Sequence, residues 1–438
     1  MEKTIPESMI RLINEVKDRF ANDEKLGEMF EKGFMNTLKT TVERKDDGTT
    51  FVITGDIPAM WLRDSAAQVR PYLILAVHDK EVADIVEGVV KRQFQYIVHD
   101  PYANAFNKEE NGNGHHADNT EMTPLIWERK YEVDSLCYPI QLAYLFWKAT
   151  GRVSHFNQTF INAAKKIIQT WKIEQEHEKR SSYRFHRENA PNASDTLTRN
   201  GKGSLTAKTG MTWSGFRPSD DACKYGYLIP SNMFAVVVLR YLSEIAESVL
   251  DDREMKDKSD LLATEINAGI EAHGKVEHPE FGTIYAYETD GFGNHNLIDD
   301  ANVPSLLSVP YLGYCKTDDL VYQNTRRFIL SRENPYYYEG KVARGIGSPH
   351  TPERFIWHIA LAIQGLTTND QVESKEILEL LKSTDANTYL MHEGFDVDDP
   401  SNFTRPWFSW ANSMFSEFLL STCGYYVPGS PGFAESGK

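Results

Sequence analysis

Amphipathic helical patterns recur along almost the whole of this 438-residue chain and limit the folds it can adopt. In residues 7–20, Met9, Ile13 and Val16 repeat at helical spacing, so their apolar side chains share one face. The same periodicity continues in residues 26–38, 81–98, 131–149, 154–171, 232–250, 255–272, 320–330, 352–364, 372–382 and 406–422. The pattern predicts a mainly helical protein.

Two helix starts are also marked by local sequence. Thr351-Pro352 is typical of an N-cap followed by proline at the first helical position, and it predicts the start of the helix at 352–364. Ser65 and Gln68 have the spacing of a capping box. Pro71 would fall inside the helix that this box begins, so the helix either kinks there or begins at Pro71.

Strand signals are few and short. Residues 40–44 and 49–54 flank Asp47-Gly48, which predicts a hairpin, and a weaker hairpin is predicted between residues 282–287 and 295–298. Strands and helices do not alternate, so a Rossmann or TIM-type fold is not expected. We predict an all-α single domain over residues 1–438, a closed ring of helix pairs with short β-hairpins in the loops. An open solenoid is the alternative, but it would show a recognisable repeat.

The charge balance limits the partners of the chain. It has 47 Lys and Arg against 63 Asp and Glu, a net charge of −16, which argues against nucleic acid and anionic membranes. The first thirty residues lack the apolar core of a secretory signal, and no run reaches the roughly 20 apolar residues of a membrane span. Four scattered cysteines without a C-x-x-C pair fit a reducing compartment. We therefore expect a soluble cytoplasmic protein, a monomer or a weak homo-oligomer.

The stretch from Thr54 to Gln68 concentrates charges and an indole around a glycine and a proline. Asp56, Arg63 and Asp64 offer groups that bind sugar hydroxyls, and Trp61 offers a flat apolar surface for a sugar ring. The alternative is that Asp64 caps the following helix while Arg63 is merely solvated. If the stretch faces a cavity, it predicts carbohydrate binding.

Two further loops carry carboxylates that suit acid–base chemistry. Asp220-Asp221 lies between Pro218 and Pro230, and Glu393 is followed by a glycine. Two carboxyls in one pocket can be given different pKa values, one acting as an acid and the other as a base, and glycoside hydrolysis needs such a pair and no metal. The neighbouring aromatic residues are Trp213, Tyr225, Phe395, Trp407 and Trp410. Taken singly, each carboxylate could equally be a cap, an Asx-turn residue or a surface residue.

Other polar loops are weaker candidates for sugar binding. Trp127-Glu128 follows a short apolar run and could instead be an amphipathic segment with a buried indole. Asp300 and Asn302 could bind hydroxyls or cap a helix that begins near Ser305.

A glycine-rich loop runs from Arg344 to His350. It lacks the Lys-Ser/Thr pair of a P-loop and follows no predicted strand, so we expect a turn that directs Arg344 or His350 inward. The local set most like metal ligands is His115-His116-x-Asp118, in a loop rich in Asn and Gly. Catalytic zinc usually needs three protein ligands, so a loop bordering the substrate is the better interpretation. No metal site and no cofactor are predicted.

Four motifs in order, at residues 55–65, 217–221, 299–305 and 392–395, together resemble glycoside hydrolase family 125. The resemblance implies an (α/α)6 barrel and a metal-independent, inverting exo-α-1,6-mannosidase that acts on α-1,6-linked mannose oligosaccharides such as N-glycan fragments. It implies Asp220 as the general acid and Glu393 as the general base. The remaining candidates then become ligands for mannose: Asp56, Trp61, Arg63, Asp64, Trp127, Glu128, Asp300, Asn302, Arg344 and His350.

Two other classes of function stay open at the level of sequence. A sugar epimerase on a helical barrel would use histidines as acid and base, and a lyase acting on uronates would need a basic cleft, whereas these loops carry mainly carboxylates. A non-catalytic sugar-binding protein would have lost one of the two carboxyls, but both Asp220 and Glu393 are present.

Overall fold

The computed structural model describes residues 5–115 and 118–431. Its α-helices are α1 (Glu7–Arg19), α2 (Glu24–Asn36), α3 (Leu62–Val69), α4 (Leu73–Ala76), α5 (Lys80–His99), α6 (Val133–Thr150), α7 (Gln158–Glu174), α8 (His177–Arg180), α9 (Thr198–Gly201), α10 (Ile229–Ile245), α11 (Arg253–His273), α12 (Val309–Leu312), α13 (Leu320–Ile329), α14 (His358–Leu366), α15 (Gln371–Ser383) and α16 (Ser409–Thr422). Helix α9 is a single irregular turn.

The strands are two to four residues long and lie in the connections between helices. They are β1 (Val42–Arg44), β2 (Thr50–Val52), β3 (Met60–Trp61), β4 (Ala105–Phe106), β5 (Asp118–Asn119), β6 (Ile126–Glu128), β7 (His186–Arg187), β8 (Tyr227–Leu228), β9 (Lys275–His278), β10 (Gly282–Tyr285), β11 (Glu288–Thr289), β12 (His295–Asn296), β13 (Tyr337–Glu339), β14 (Arg344–Ile346), β15 (Phe355–Trp357) and β16 (Gly394–Asp396). Within the described residues they form sheets of only two or three antiparallel strands.

The longer helices form two concentric layers. Helix α6 packs against α3 and α10, α10 packs against α12, and α14 packs against α16. Helix α16, near the end of the chain, returns to α3 near its beginning, so the first and last inner helices pack together as a closed ring requires. Helices α5, α7, α11, α15 and α2 pack outside this layer against the inner helices or their neighbours. The closed ring of helix pairs is therefore confirmed.

The burial of each helix follows from its sequence pattern. Outer helix α1 buries Met9, Leu12, Ile13 and Val16 along one stripe. Inner helices α6 and α10 are mainly apolar, and every residue in their first three turns is buried. No helix among the described residues is long and apolar enough to cross a membrane.

The helix predicted at residues 352–364 begins six residues later than expected. Residues 355–357 form β15, which pairs with β16, and α14 starts only at His358. The three residues of β15 are all buried, so the apolar run fits a strand covered on both faces as well as a helix. Pro352 instead lies in a turn, where its carbonyl accepts from the backbone N–H of Phe355. Thr351 is not the N-cap.

The predicted capping box was wrong. Helix α3 begins at Leu62, and Ser65 donates its hydroxyl back to the carbonyl of Trp61 (2.6 Å) rather than capping. Pro71 is the second residue of a 3-10 turn, Arg70–Tyr72, that separates α3 from α4, so the helix is interrupted at this proline as predicted.

The pairing of the second hairpin was also wrong. Strand β10 pairs with β9, and β12 pairs with β11, so the two predicted strands belong to different sheets. In contrast, β1 and β2 form the predicted hairpin around Asp47-Gly48.

Candidate active site

A cavity of about 360 Å³ lies where the inner helices begin. Trp61, Trp357 and Phe408 each immediately precede an inner helix, and the polar groups of the cavity come from the loops that lead into those helices. The lining residues are Thr54, Asp56, Ile57, Trp61, Arg63, Asp64, Ser219, Asp220, Asn302, His350, Trp357, Glu393, Arg405 and Phe408. Segments far apart in sequence therefore meet in one polar and aromatic pocket.

Arg63 and Asp64 lie in the first turn of α3, directly after Trp61 on β3. They line the cavity together although adjacent helical residues do not face one another on a regular helix surface. In this first turn the two side chains nevertheless lie close together, with Arg63 Nε 3.5 Å from Asp64 Oδ1. Burial raises the pKa of Asp64 to about 6, against the opposing charge of Arg63. The alternative in which Asp64 caps the helix and Arg63 is solvated was wrong.

Asp56 is held by an arginine that sequence analysis missed. Arg405 donates from Nη2 and Nε to the Asp56 carboxylate at 2.5 and 3.1 Å. The backbone supports this pair, because Asp56 N–H donates to the carbonyl of Trp407 (3.1 Å) and Gly55 forms an antiparallel bridge with Phe408. Arg405 has no sequence signal beyond its place in the loop after Glu393.

Asp220 occupies a tight turn before α10. Its φ of 67° is in the left-handed region, which aspartate tolerates better than most residues but which still costs free energy. Its N–H donates to the carbonyl of Arg217 (2.9 Å), and Lys130 Nζ donates to its carbonyl (2.7 Å). The side chain keeps 27% of its surface exposed to the cavity. The fixed backbone therefore presents the carboxyl to the cavity.

The charge environment of Asp220 is strongly positive. Arg63 Nη2 and Asn104 Nδ2 both donate to Asp220 Oδ1 at 3.4 Å. Burial alone would raise the pKa of Asp220, but the charges of Arg63 and Lys130 outweigh it and hold that pKa below its ordinary value. Glu132 shows the opposite behaviour, because burial and the charge of Asp220 raise its pKa well above the usual range despite Arg63.

Asp300 and Asn302 fix the loop that carries Asp220. Ser219 Oγ donates to Asp300 Oδ2 (2.8 Å), and Asn302 Nδ2 donates to the carbonyl of Pro218 (2.8 Å). Asn302 also lines the cavity, whereas Asp300 lies behind it, fully buried. Neither residue caps a helix at Ser305, because the next helix, α12, begins at Val309. The structure gives Asp300 a supporting position in place of the predicted contact with substrate.

His350 and Asp221 form a second charged pair beside the cavity. His350 Nδ1 lies 3.1 Å from Asp221 Oδ1. Burial opposes the charged imidazole, but the hydrogen bond to Asp221 and the charge of Glu393 raise the pKa of His350 to about 9. His350 is therefore a cation at neutral pH. Asp221 is buried and its carboxylate is paired with His350. This arrangement fits the prediction that Asp220, rather than Asp221, is the catalytic acid.

Glu393 immediately precedes β16, which is paired with β15. Thr404 Oγ1 donates to Glu393 Oε2 (3.1 Å), and Arg405 Nη1 donates to Oε1 (3.5 Å). The residue is 6% exposed and lines the same cavity as Asp220. The two predicted catalytic carboxyls thus enter one pocket from different loops.

Besides Asp300, three predicted ligands do not line this cavity. Trp127 packs against the small apolar cluster around Trp61, outside the lining. Glu128 is buried on β6, where it accepts from Arg187 Nη2 (2.9 Å) and Asn104 Nδ2 (3.1 Å). Arg344 begins strand β14, its side chain is 67% exposed, and it lies 3.8 Å from Glu376. The glycine-rich loop that was predicted to follow no strand in fact comes after β13 and begins with β14. Because successive side chains of a strand point to opposite faces, that of Arg344 points to the surface.

Apart from Trp61, the aromatic residues of the cavity are not those predicted from the sequence. Trp357 and Phe408 line it beside Trp61, whereas Trp213 stacks on buried His177 with ring centroids 3.6 Å apart. Trp410 and Phe395 are also core residues. Nearness in sequence to the carboxylates identified the loops that form the cavity but not the aromatic side chains that line it, because neighbouring residues of a strand or helix face different directions.

The histidine motif at residues 115–118 lies only in part within the described residues. His116 is outside them, and Asp118 is buried, where it accepts from Arg187 Nε (2.6 Å) and Nη2 (2.7 Å). Within residues 5–115 and 118–431, no group of three or more His, Cys, Asp or Glu side chains is arranged to hold a metal ion.

Solved glycosidase structures share this architecture. A bacterial glucoamylase in complex with acarbose superimposes with a TM-score of 0.60 at 13% identity, covering 95% of this chain and 58% of its own. Glucoamylase from Saccharomycopsis fibuligera gives a TM-score of 0.57 at 10% identity, covering 90% and 94%. At such low identity the likeness concerns the fold alone, and it confirms the (α/α)6 barrel.

Closer relatives define the family. A Streptococcus pneumoniae structure, described as a metal-independent alpha mannosidase in a non-productive complex with alpha-1,6-mannobiose, is 52% identical with a TM-score of 0.93, covering 95% of this chain and 98% of its own. The meiotically up-regulated gene 157 protein of Schizosaccharomyces pombe is 41% identical, covering 94% of this chain and 85% of its own. Residues 23–420 match the metal-independent alpha-mannosidases of glycoside hydrolase family 125. The chain belongs to that family and is a glycoside hydrolase, an α-mannosidase.

Proposed function

We propose that the protein is an inverting, exo-acting α-1,6-mannosidase that removes non-reducing terminal mannose from α-1,6-linked mannosides such as N-glycan fragments. The observation that carries the proposal is that Asp220 and Glu393 enter one 360 Å³ cavity from separate loops, beside Trp61. The 52%-identical structure, described as a complex with alpha-1,6-mannobiose, supports the linkage.

In this proposal Glu393 is the general base. Arg405 Nη1 donates to its Oε1 (3.5 Å) and Thr404 Oγ1 donates to its Oε2 (3.1 Å), so the carboxyl is held in a fixed orientation at the cavity. The carboxylate takes a proton from a water molecule as the water oxygen bonds to the anomeric carbon.

Asp220 is the general acid and protonates the departing glycosidic oxygen. Trp61 and Trp357 provide apolar faces for the sugar ring, and Arg63, Asp64 and His350 provide hydrogen-bonding groups for its hydroxyls. Asp56 is paired with Arg405, so we assign it to orienting that arginine as well as to binding substrate. We also infer that residues 1–438 act as one catalytic domain, because one apolar core cluster runs from Met9 to Val427.

The configuration of the first product tests the proposal. The enzyme is incubated with α-1,6-mannobiose, with and without a chelator, and the product anomer is followed by proton NMR before mutarotation. We expect β-mannose first and the same rate in both samples. α-Mannose as the first product would exclude inversion. Absence of cleavage, with mannobiose still bound, would instead favour a non-catalytic sugar-binding protein.

A further inference from the structure

Glu132 lies behind Asp220 and is one of the most completely buried acids in the molecule. It immediately precedes α6, and its side chain is 0% exposed. Arg63 Nη1 (2.5 Å) and Ser135 Oγ (2.6 Å) both donate to Glu132 Oε2. Oε1 is buried and receives no hydrogen bond from the residues that the structure describes. A carboxylate with one fully buried, unpartnered oxygen is unfavourable, whereas a carboxylic acid can use that oxygen as a donor.

Glu132 and Asp220 share one guanidinium: Arg63 donates from Nη1 to Glu132 Oε2 (2.5 Å) and from Nη2 to Asp220 Oδ1 (3.4 Å). Burial and the nearby charge of Asp220 raise the pKa of Glu132, whereas the charges of Arg63 and Lys130 hold the pKa of Asp220 below its ordinary value. Two ionised carboxylates on one guanidinium repel each other, so the pair is more stable when one of the two carboxyls keeps a proton.

The number of charges leads to the same conclusion. The Arg63 guanidinium is within 3.5 Å of four carboxyls, those of Glu132, Asp134, Asp220 and Asp64. One positive charge cannot balance four buried negative ones, so the cluster retains protons.

Two further cations, Lys130 and His350, act on Asp220, whereas Arg63 is the one cation paired with Glu132 among the residues that the structure describes. Lys130 lies 3.8 Å from Glu128 and 3.6 Å from Asp195, and His350 is paired with Asp221. Their charge acts on Asp220, where it favours the ionised form. The stored proton is therefore better placed on Glu132.

We propose that Glu132 stores the proton that Asp220 delivers to the leaving group, so that the two carboxyls act as one proton-sharing pair. Glu132 does not touch the substrate and acts through Asp220, so it is a positioning residue. The inference rests on the proposed role of Asp220 as general acid.

Every proton in the proposed transfer has a source and a destination. Transfer from Glu132 to Asp220 breaks one O–H bond and forms another. Asp220 then gives the proton to the glycosidic oxygen, which keeps the electron pair of the broken C–O bond. Glu393 gains a proton from the attacking water and releases it to solvent, while Glu132 takes up a proton from solvent before the next turnover.

Glu132→Gln tests the proposal, since glutamine keeps the size and the contacts of Glu132 but cannot supply a proton. We expect kcat/KM on α-1,6-mannobiose to fall about 10²-fold, the usual contribution of proton transfer to a leaving group. Hydrolysis of α-mannosyl fluoride, whose leaving group needs little protonation, should remain within a few-fold. The alkaline limb of the mannobiose pH profile should move to lower pH, because Asp220 alone has the low pKa that Arg63 and Lys130 impose.

Asp134→Asn is the matched control. Asp134 shares Arg63 Nη1 with Glu132, but both of its oxygens already have donors, Arg63 (3.2 Å) and Ser231 (3.4 Å). We expect this variant to affect the two substrates equally and to move the alkaline limb less. Equal losses on both substrates in Glu132→Gln, or an unmoved alkaline limb, would overturn the proposal and leave Glu132 a structural role.

Infrared titration tests the proton store if Glu132→Gln does not fold, and the rate of Asp220→Asn tests the proposed function separately. If Glu132→Gln does not fold, infrared titration of the wild-type protein and of Asp220→Asn should show a protonated buried carboxyl at neutral pH, and its absence from both would refute the proton store. If Asp220→Asn cleaves mannobiose at the normal rate, the proposed function of Asp220 fails, whatever the behaviour of Glu132→Gln.

Discussion

At the scale of single residues, Arg63 connects the charges of the cavity. It holds Glu132 and Asp134 on one side and Asp220 on the other, and it lies 5.9 Å from the ring of Trp410. Such a buried guanidinium fixes geometry because its donors lie in one plane. The position of Asp220 therefore depends on a residue that takes no proton itself.

The first prediction concerns the two catalytic carboxyls. Glu393→Gln should lower kcat about 10²–10⁴-fold on both α-1,6-mannobiose and α-mannosyl fluoride, because water must be activated for either substrate. Asp220→Asn should lower it by a similar factor on mannobiose but far less on the fluoride. Steady-state kinetics and calorimetric titration with mannobiose would show whether turnover falls while binding persists.

Asp221→Asn provides the control for that prediction, since it removes a neighbouring carboxyl that pairs with His350. It should cause a smaller loss, shared by both substrates. Near-normal rates in either catalytic variant would remove that residue from the mechanism.

At the scale of structural elements, the site is built where loops enter the inner helices. Backbone contacts hold these loops together, as where Ser409 N–H donates to the carbonyl of Thr54 (3.0 Å) at the start of α16. Gly55, with φ 139°, lies in this contact, and a Cβ there would be 2.3 Å from the carbonyl oxygen of Trp407. Only glycine allows this approach.

Gly55→Ala should therefore damage both stability and activity. The added methyl group would push the Asp56 loop away from Arg405, so we expect a lower unfolding free energy and a lower kcat/KM on mannobiose. Gly48→Ala is the matched control: Gly48 also has positive φ (77°), but a Cβ there meets nothing within 4 Å. It should cost about 1–2 kcal/mol and leave kcat/KM unchanged. Urea unfolding with parallel kinetics separates the two effects, and equal behaviour of the variants would contradict the predicted clash.

At the scale of the whole molecule, ring closure brings the ends of the sequence together. Packing of α16 against α3 places Glu393, Arg405 and Phe408 beside Asp56 and Trp61. The resulting cavity is at the small end of the roughly 300–1,000 Å³ typical of ligand pockets. A small pocket suits the terminal residue of a glycan better than the interior of a chain.

This size predicts the product pattern on a longer substrate. From linear α-1,6-mannotetraose labelled at its reducing end, we expect mannose and labelled trisaccharide first, then labelled disaccharide, by chromatography of early time points. Blocking the non-reducing terminal residue should abolish the reaction. Labelled mannose or disaccharide among the earliest products would contradict exo action.

Sequence periodicity predicted most of the long helices of this barrel, because burying one face of a helix leaves a regular trace in the chain. It failed at residues 355–357, where a short apolar run fits a strand or a helix equally and the partner β16 decides between them.

The motifs likewise predicted Asp56, Trp61, Arg63, Asp64, Asn302 and His350 at the cavity, together with Asp220 and Glu393. Asp300 and Arg344 could not be placed from sequence, since a loop carboxylate that supports a turn and one that lines a cavity look the same along the chain.

What the sequence determined by itself was the helical class, the first hairpin and the loops that carry the chemistry, all of which depend on neighbouring residues. Only the tertiary structure decided that Arg405 holds Asp56 and that Glu132 and Asp220 share Arg63. These contacts join residues from different helix pairs, and the pKa of each acid depends on burial and on charges that closure of the ring brings within a few ångströms.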